Sequence, residues 1–178
     1  MLGYAGRRVI VAGAASPVGS ATIKVLVDLG AEVHAIDAAP PDQPGLASFT
    51  ETDLHDPAQI EAAARKIGRV VNALFNCLPQ ATDDDFSHLQ QLTEHVVPLM
   101  IEGAAIATVV PRADGATSPA LRLNDYTAER GRDLLASGIR MNCVNVPPGG
   151  PADDQAWPLV LLNSPRCAHV SGAVLRQG

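Results

Sequence analysis

Apolar residues along this chain fall into two patterns: short continuous runs, and longer stretches in which they recur three and four positions apart. Short runs rich in β-branched residues are typical of strands buried on both faces, whereas the wider spacing indicates one apolar face of a helix. The runs predict seven strands, at residues 9–11, 31–36, 46–52, 69–77, 104–110, 139–146 and 168–175.

Helical spacing predicts four helices, at residues 18–29, 57–67, 86–102 and 125–136. Pro98 is expected to kink the third helix or to end it early, because proline lacks the backbone N–H that a helix interior uses. Turn-forming residues predict loops between these elements, at 38–45, 78–85, 112–124 and 147–151. Strands that alternate with helices indicate a three-layer α/β fold with a doubly wound parallel sheet, and we expect one such domain over residues 1–178.

The stretch from residue 7 to residue 37 is the most informative part of the chain. Its predicted elements follow the order strand, small-residue turn, helix and strand. Both this order and the length of the stretch match one half of a dinucleotide-binding Rossmann fold. Gly13 and Gly19 in the turn would let the backbone approach a pyrophosphate, whose charge then lies at the positive end of the helix. Asp37 closes the second strand, where a carboxylate binds the ribose hydroxyls of NAD and repels the 2′-phosphate of NADP. The pattern therefore favours NAD, although a ligand-free α/β unit with a tight turn would give the same pattern.

Composition and charge narrow the range of partners. Hydrophobic residues make up 47 % of the chain and aromatic residues only 3 %, so we expect an aliphatic core. The net charge of −6 and the lack of a Lys/Arg cluster argue against nucleic acid and anionic membranes as partners. No apolar run approaches the roughly twenty residues of a transmembrane helix, and the first residues do not resemble a signal peptide. Cys77, Cys143 and Cys167 lack metal-ligand spacing, which predicts no metal site and free thiols in the cytoplasm.

Several short motifs lie at consistent places on the predicted elements. They are Gly13-x-x-x-Pro17-Val18-Gly19 in the first turn, Asp53-Leu54 after the third strand, Asn76 near the end of the fourth, Tyr126-x-x-x-Arg130 on the last helix, and the run 138–145 followed by Pro147 and Gly149. In these motifs the chain resembles the short-chain dehydrogenase/reductases over nearly its whole length.

The resemblance implies an oxidoreductase that uses NAD, less favourably NADP, on a small alcohol or carbonyl substrate. Tyr126 would be the catalytic acid/base, and Arg130 would take the place of the family's lysine. The resemblance also implies a homodimer or homotetramer in which the helices at 86–102 and 125–136 pair between copies. The residues that it assigns to the cofactor are Gly13, Ser16, Pro17, Val18, Gly19, Asp37, Asp53, Leu54, Asn76, Cys77, Pro147 and Gly149.

The catalytic positions depart from the family's pattern. Arg130 carries a planar guanidinium, which is not interchangeable with a lysine ammonium at a ribose contact. The place of the family's serine falls at Arg112 or Ala113, which have no hydroxyl, and the place of its asparagine falls near Asp85.

The residues that the resemblance assigns to the cofactor also depart from the family's sequence pattern. Pro17 replaces the middle glycine of the turn and has no N–H to offer a phosphate, although proline is well tolerated in the first turn of a helix. The segments after Asn76 and after Gly150 are short, which predicts an open site with little cover over a substrate.

Two functions therefore remain open at the level of the sequence. The first is an NAD-dependent oxidoreductase in which Tyr126 and Arg130 carry the proton chemistry. The second is a catalytically inactive relative that serves as a nucleotide-sensing or protein-interaction module, in which Tyr126 and Arg130 are an ordinary pair four residues apart on an amphipathic helix.

Overall fold

The structure is a computed structural model that describes residues 2–78, 83–111, 119–147 and 149–176. Seven strands form one sheet in the order β3-β2-β1-β4-β5-β6-β7, and every pair of neighbours runs parallel. The predicted doubly wound Rossmann sheet is thereby confirmed. The strands are β1 (Arg8–Ala12), β2 (Glu32–Asp37), β3 (Ser48–Glu51), β4 (Val71–Asn76), β5 (Met100–Pro111), β6 (Arg140–Val146) and β7 (Val174–Arg176).

Helices cover both faces of the sheet. Helices α1 and α5 pack side by side on one face, and α2, α3 and α4 follow one another on the other. The α-helices among the described residues are α1 (Pro17–Asp28), α2 (Pro57–Ile67), α3 (Asp83–Val96), α4 (Pro119–Leu134) and α5 (Ala152–Asn163). The strand order reverses direction between β1 and β4, and in open α/β sheets ligands bind at the carboxyl edge of such a point.

The core lies on both sides of the sheet because alternate strand residues point to opposite faces. Val9 and Phe75 pack towards α1 and α5, whereas Ile10, Leu74 and Ile106 pack towards the opposite helices. All five side chains are fully buried, as the continuous apolar runs in the sequence predicted.

The predicted helix at residues 86–102 ends early, as the sequence analysis expected from Pro98, and only the extension to residue 102 is wrong. Helix α3 stops at Val96, a single 3₁₀ turn spans Val97–Leu99, and β5 begins at Met100. Pro98 explains the change, because it cannot continue the helical hydrogen bonds and forces the chain to turn.

The predicted loop at 112–124 is wrong from residue 119 onwards. Helix α4 begins at Pro119, so Tyr126 lies seven residues into the helix rather than in its first turn. Proline favours a helix start, and Ala120 and Leu123 extend the buried face towards the N-terminus. Residues 112–118 lie outside the described part of the chain.

The connection after β6 also differs from expectation. Helix α5 begins at Ala152, directly after the turn, and it continues through Pro158. The four helices predicted from the sequence did not include it. The last strand, β7, spans only Val174–Arg176, whereas the sequence predicted a strand at 168–175. Among the described residues, no helix is both long enough and apolar enough to cross a membrane.

Candidate functional site

The glycine turn between β1 and α1 is closely packed against its surroundings. Gly13 has a φ of +72°, and a Cβ there would lie 2.8 Å from the carbonyl carbon and oxygen of Cys77. A Cβ on Gly19 would collide with the carbonyl oxygen of Gly13. Both positions therefore require glycine, since any side chain would push the turn away from β4 or away from its own helix.

Ser16 holds this turn in place. Its Oγ accepts a hydrogen bond from the Gly19 N–H at 3.0 Å, which caps α1. The same oxygen lies 2.7 Å from the carbonyl oxygen of Gly13 and 3.0 Å from that of Cys77, and it donates its one proton in that direction. Pro17 follows as the first residue of α1, where a missing N–H is harmless. Ser16 and Pro17 thus build the turn.

Asp37 lies directly beside the turn, at the end of β2. Its Oδ2 accepts the Ala15 N–H at 2.8 Å, and its Oδ1 accepts the Ala38 N–H at 2.7 Å. An ionised carboxylate offers about four acceptor positions, so two remain for an incoming pair of hydroxyls. The structure therefore brings the predicted acidic residue and the predicted glycine turn together.

The Asp53-Leu54 pair follows β3 at the same edge of the sheet. The Asp53 carboxylate accepts the His55 N–H at 2.9 Å, and the Asp53 N–H donates to the Gln59 side chain at 2.9 Å. Leu54 is 5 % exposed. It forms an apolar wall of a small cavity of about 50 Å³, whose other lining residues are His55, Leu78, Asp85 and His88.

Asn76 ends β4, and Cys77 follows it, with its backbone packed against Gly13 of the turn. The fully buried Asn76 donates from Nδ2 to Thr108 Oγ1 at 3.2 Å, while its Oδ1 receives no hydrogen bond from the described residues. Leaving a buried amide oxygen unpaired costs about 1–3 kcal/mol, so this atom favours an external donor. Burial raises the pKa of the Cys77 thiol to about 12, and this keeps the thiol protonated and unreactive at neutral pH.

A cavity of about 310 Å³ opens beside the turn. It is bounded by the ends of three strands and the start of α5, and its described lining carries no carboxylate, histidine or tyrosine. Pro147, which the sequence assigned to the cofactor, does not line this cavity; it lies in the neighbouring turn, where its carbonyl accepts the Gly150 N–H at 3.4 Å. The lining residues are Ser16, Pro17, Val18, Cys77, Leu78, Val109, Pro111, Val146, Gly149, Gly150, Ala152 and Gln155.

Gln155 is a site residue that the sequence did not reveal. It is 6 % exposed, lies at the fourth position of α5, and donates from Nε2 to the Gly150 carbonyl at 3.1 Å. This bond fixes the glycine-containing turn over the cavity. Helix α5 was not predicted, and without it no signal marks this glutamine.

Tyr126 and Arg130 lie on α4 and face α3. The Arg130 Nε and Nη2 donate to the two carboxylate oxygens of Glu94 at 2.8 and 2.6 Å, and the Tyr126 hydroxyl donates to Glu94 at 3.4 Å. The Tyr126 ring packs edge-on against Phe86 at 5.8 Å between centroids. Burial, with the Glu94 charge adding to it, raises the pKa of Tyr126 to about 12.

The structure therefore does not bring Tyr126 to the cavity beside the glycine turn. A helix rises 1.5 Å per residue, so Tyr126 lies about 10 Å along α4 from the start of the helix at Pro119. Arg112 and Ala113, the two places derived for a serine, lie outside the described residues. Tyr126 instead lines a polar groove of about 540 Å³ between α3 and α4, with Ser87, Gln90, Gln91, Glu94 and His95.

A family model described as the NAD dependent epimerase/dehydratase family matches residues 9–102 of the chain. The matched part runs from β1 into β5, and it contains the glycine turn, Asp37, Asp53 and Asn76. No curated protein sequence matches the chain. Within the described part of the chain, no three His, Cys, Asp or Glu side chains are grouped so that they could hold a metal ion.

Solved structures of short-chain dehydrogenase/reductases and of an NADH-dependent reductase have the same fold as this chain. The enzyme from Serratia marcescens superimposes with a TM-score of 0.84 at 18 % identity, over 98 % of this chain and 97 % of its own. A short-chain dehydrogenase from Leptospira borgpetersenii with bound NAD⁺ has a TM-score of 0.81 at 15 % identity, over 97 % and 91 % of the two chains. An NADH-dependent reductase in complex with NAD has a TM-score of 0.84 at 16 % identity, over 99 % and 96 %. At these identities the likeness establishes the fold.

Proposed function

Because the chain belongs to the NAD dependent epimerase/dehydratase family, we propose that it binds NAD at the turn between β1 and α1. The observation that carries this proposal is the position of Asp37, whose carboxylate touches the turn through the Ala15 N–H at 2.8 Å and keeps acceptor positions free. Two solved structures of the same fold hold NAD or NAD⁺, which supports a nicotinamide cofactor.

The residues of the site fit such a cofactor. Helix α1 has twelve residues, and its positive end, with Val18 in the first turn, suits the pyrophosphate. Leu54 offers an apolar surface to the base, and Asp37 would hold the ribose. The unpaired Asn76 Oδ1 would accept a hydrogen bond from the cofactor or from water. The cavity beside Gly149 has room for the nicotinamide end.

The preference for NAD over NADP follows from charge. At about 4 Å, a carboxylate and a solvated phosphate repel each other by roughly 1–2 kcal/mol, which corresponds to about tenfold in affinity. Calorimetric titration should therefore give NADH at least about tenfold tighter binding than NADPH. In Asp37→Ser this difference should disappear, whereas the exposed Asp28→Asn should leave it unchanged. Equal affinities in the unmodified protein would contradict the assignment of Asp37.

The reaction that we propose is oxidation or reduction of a small alcohol or carbonyl compound. The bound nicotinamide would exchange the hydride, and the chain's own part would be proton transfer by Tyr126 with Arg130 as its electrostatic partner. The Arg130 charge lowers the pKa of Tyr126, as this role needs, although burial and Glu94 outweigh it. Both side chains would have to leave Glu94 to serve a substrate at the cavity.

One observation favours a second candidate, a nucleotide-sensing or protein-interaction module without catalysis. Glu94 engages both Tyr126 and Arg130, and neither of them lines the cavity. An assay of NADH oxidation separates the oxidoreductase from the non-catalytic module. The absorbance of NADH at 340 nm is followed while the protein is offered a panel of small aldehydes and ketones. An enzyme loses turnover in Tyr126→Phe while its NADH affinity stays the same. Turnover that is unaffected by this substitution excludes Tyr126 as the acid, and no turnover with any substrate favours the module.

Assembly and location complete the proposal. We propose that the protein forms a homodimer or a homotetramer. We also propose that it is located in the cytoplasm. The free thiols of Cys77, Cys143 and Cys167 support a reducing compartment.

A further inference from the structure

Three polar side chains form a connected row on one face of the sheet, at its β3 edge. Glu32 and His34 are two residues apart on β2, so they point to the same face, and Ser48 on β3 pairs with His34 in the strand register. His34 Nδ1 lies 2.7 Å from Ser48 Oγ, and His34 Nε2 lies 3.0 Å from Glu32 Oε1. A nucleophile, a general base and a group that orients the base are connected in this order in serine hydrolases.

The carboxylate determines where the imidazole carries its proton. Hydrogen bonds from His34 and Arg8 hold the pKa of Glu32 below its usual value, so Glu32 is ionised and can only accept. The proton of the neutral imidazole therefore lies on Nε2, which donates to Glu32, and Nδ1 keeps a lone pair. At 2.7 Å this nitrogen accepts the Ser48 O–H, which is the contact through which a base activates a serine.

Arg8 holds the far end of the row in place. Its Nε and Nη2 donate to the same Glu32 oxygen at 3.2 and 3.1 Å, and its Nη1 donates to the Arg69 carbonyl at 3.0 Å. His34 is 8 % exposed, so packing restrains its ring in addition to the bond with Glu32. A base that is held in one orientation needs no rearrangement before it takes a proton.

The serine end of the row lies at the open edge of the sheet. Strand β3 pairs only with β2 in the described sheet, and Ser48 is half-buried, so a small molecule reaches it from solvent with His34 behind it. Asp37 pairs with Glu51, three residues further along the two strands, which is about 10 Å away. The row is therefore separate from the proposed cofactor site.

We propose that Ser48 and His34 form a second catalytic site, positioned by Glu32, that hydrolyses small activated carboxylic esters. Ser48 Oγ adds to the ester carbonyl carbon while its proton passes to His34 Nδ1. His34 gives this proton to the leaving oxygen as the ester C–O bond breaks, which releases an alcohol or phenol and leaves the acyl group on Ser48. Water then adds to the acyl group, with His34 Nδ1 again taking a proton and returning it to Ser48 Oγ, and a carboxylic acid leaves.

Covalent labelling tests the nucleophile directly. A fluorophosphonate probe forms a phosphorus–oxygen bond to an activated serine and loses fluoride, and mass spectrometry of the intact chain and of its peptides identifies the labelled residue. We expect one label per chain, on Ser48, and hydrolysis of p-nitrophenyl acetate that the label blocks. A positioned general base contributes about 10²–10⁴-fold to a rate, so Ser48→Ala should lower the rate of hydrolysis by at least about 10²-fold.

A substitution of the positioning residue separates its role from a structural one. Glu32→Gln keeps the size of the side chain but removes the charge that fixes the His34 proton on Nε2. It should lower kcat for p-nitrophenyl acetate about tenfold or more and leave KM unchanged, because Glu32 does not touch the ester. Far-ultraviolet circular dichroism should show that Ser48→Ala and Glu32→Gln keep the fold.

Matched controls and a direct negative result complete the test. Ser137→Ala and His169→Gln change an exposed serine and an exposed histidine elsewhere on the surface, so both should keep the label and the rate. An unmodified protein that takes no label on Ser48 would overturn the proposal, as would label and hydrolysis that survive Ser48→Ala. A protein that is labelled on Ser48 but binds no NADH would uphold this inference while the proposed function fails.

Discussion

Removal of the buried guanidinium of Arg140 should destabilise the protein strongly. Arg140 begins β6 and is 4 % exposed. Its Nη1 donates to the carbonyl oxygens of Leu162 at 2.8 Å and Val170 at 3.2 Å, and its Nη2 donates to that of Ser164 at 3.1 Å and, more weakly, to that of Asn163 at 3.4 Å. The guanidinium therefore satisfies the last carbonyl groups of α5 and lies at the negative end of that helix.

The size of the effect follows from these bonds. A hydrogen bond to a charged group contributes about 1.5–3 kcal/mol, and Arg140→Met removes three short ones. Met fills much of the volume and avoids the cost of burying a cation, which offsets part of the loss. We expect the free energy of unfolding to fall by roughly 3–5 kcal/mol, and the melting temperature by on the order of 10 °C.

Urea unfolding followed by circular dichroism measures this change. Arg132→Met, at an exposed position on α4, is the matched control and should change the free energy of unfolding by less than about 0.5 kcal/mol. Arg140→Lys keeps the charge, but the lysine side chain cannot reach all the carbonyl groups. Its free energy of unfolding should therefore lie between those of Arg140→Met and Arg132→Met. A loss below about 1 kcal/mol in Arg140→Met would refute the reasoning, because it would mean that water replaces the guanidinium at no cost.

Two further predictions concern the turn and the α3–α4 contact. In Gly19→Ala the new methyl group would collide with the Gly13 carbonyl oxygen. The substitution should therefore abolish NADH binding, as calorimetry would show, and lower the free energy of unfolding by about 1–3 kcal/mol, as urea unfolding would show. Burial raises the pKa of Tyr126 in the folded protein to about 12, whereas an unperturbed tyrosine has a pKa of about 10, so ionisation of this phenol opposes folding. The contribution of Tyr126 to the free energy of unfolding should be constant below about pH 10 and be lost as the pH rises towards 12. Tyr126→Phe should remove part of that fall, and Glu94→Gln should lower the pKa of Tyr126, as ultraviolet titration of the phenol would show.

The β1–α1–β2 unit could be predicted from the sequence because its signals are local. Ser16 caps α1 and Pro17 begins it, so the helix start needs no tertiary information. Gly13 and Gly19 are fixed by close backbone contacts within the same unit and with β4, and Asp37 sits where a parallel strand ends. The structure accordingly brings these residues together as the sequence indicated.

The position of Tyr126 could not be predicted in the same way. The spacing to Arg130 matches a catalytic motif, but whether the pair reaches a substrate depends on where α4 begins and on what α3 presents opposite it. Neither Pro119 as the helix start nor Glu94 as a partner is visible in the motif itself. Gln155 could not be predicted for a related reason, since no helix was predicted between residues 151 and 168, and its place on the cavity wall depends on α5.

Backbone amide NMR shifts, mapped during a titration of the protein with NADH, show directly whether the dinucleotide occupies the glycine turn. If the dinucleotide occupies the glycine turn, the amide signals of Ala15, Gly19 and Asp37 should shift and saturate together. Signals of Gln90 and His95, in the α3–α4 groove, should not move. If NADH saturates the protein while the amide signals of the turn do not shift, or if only signals of the α3–α4 groove shift, the turn is not the cofactor site.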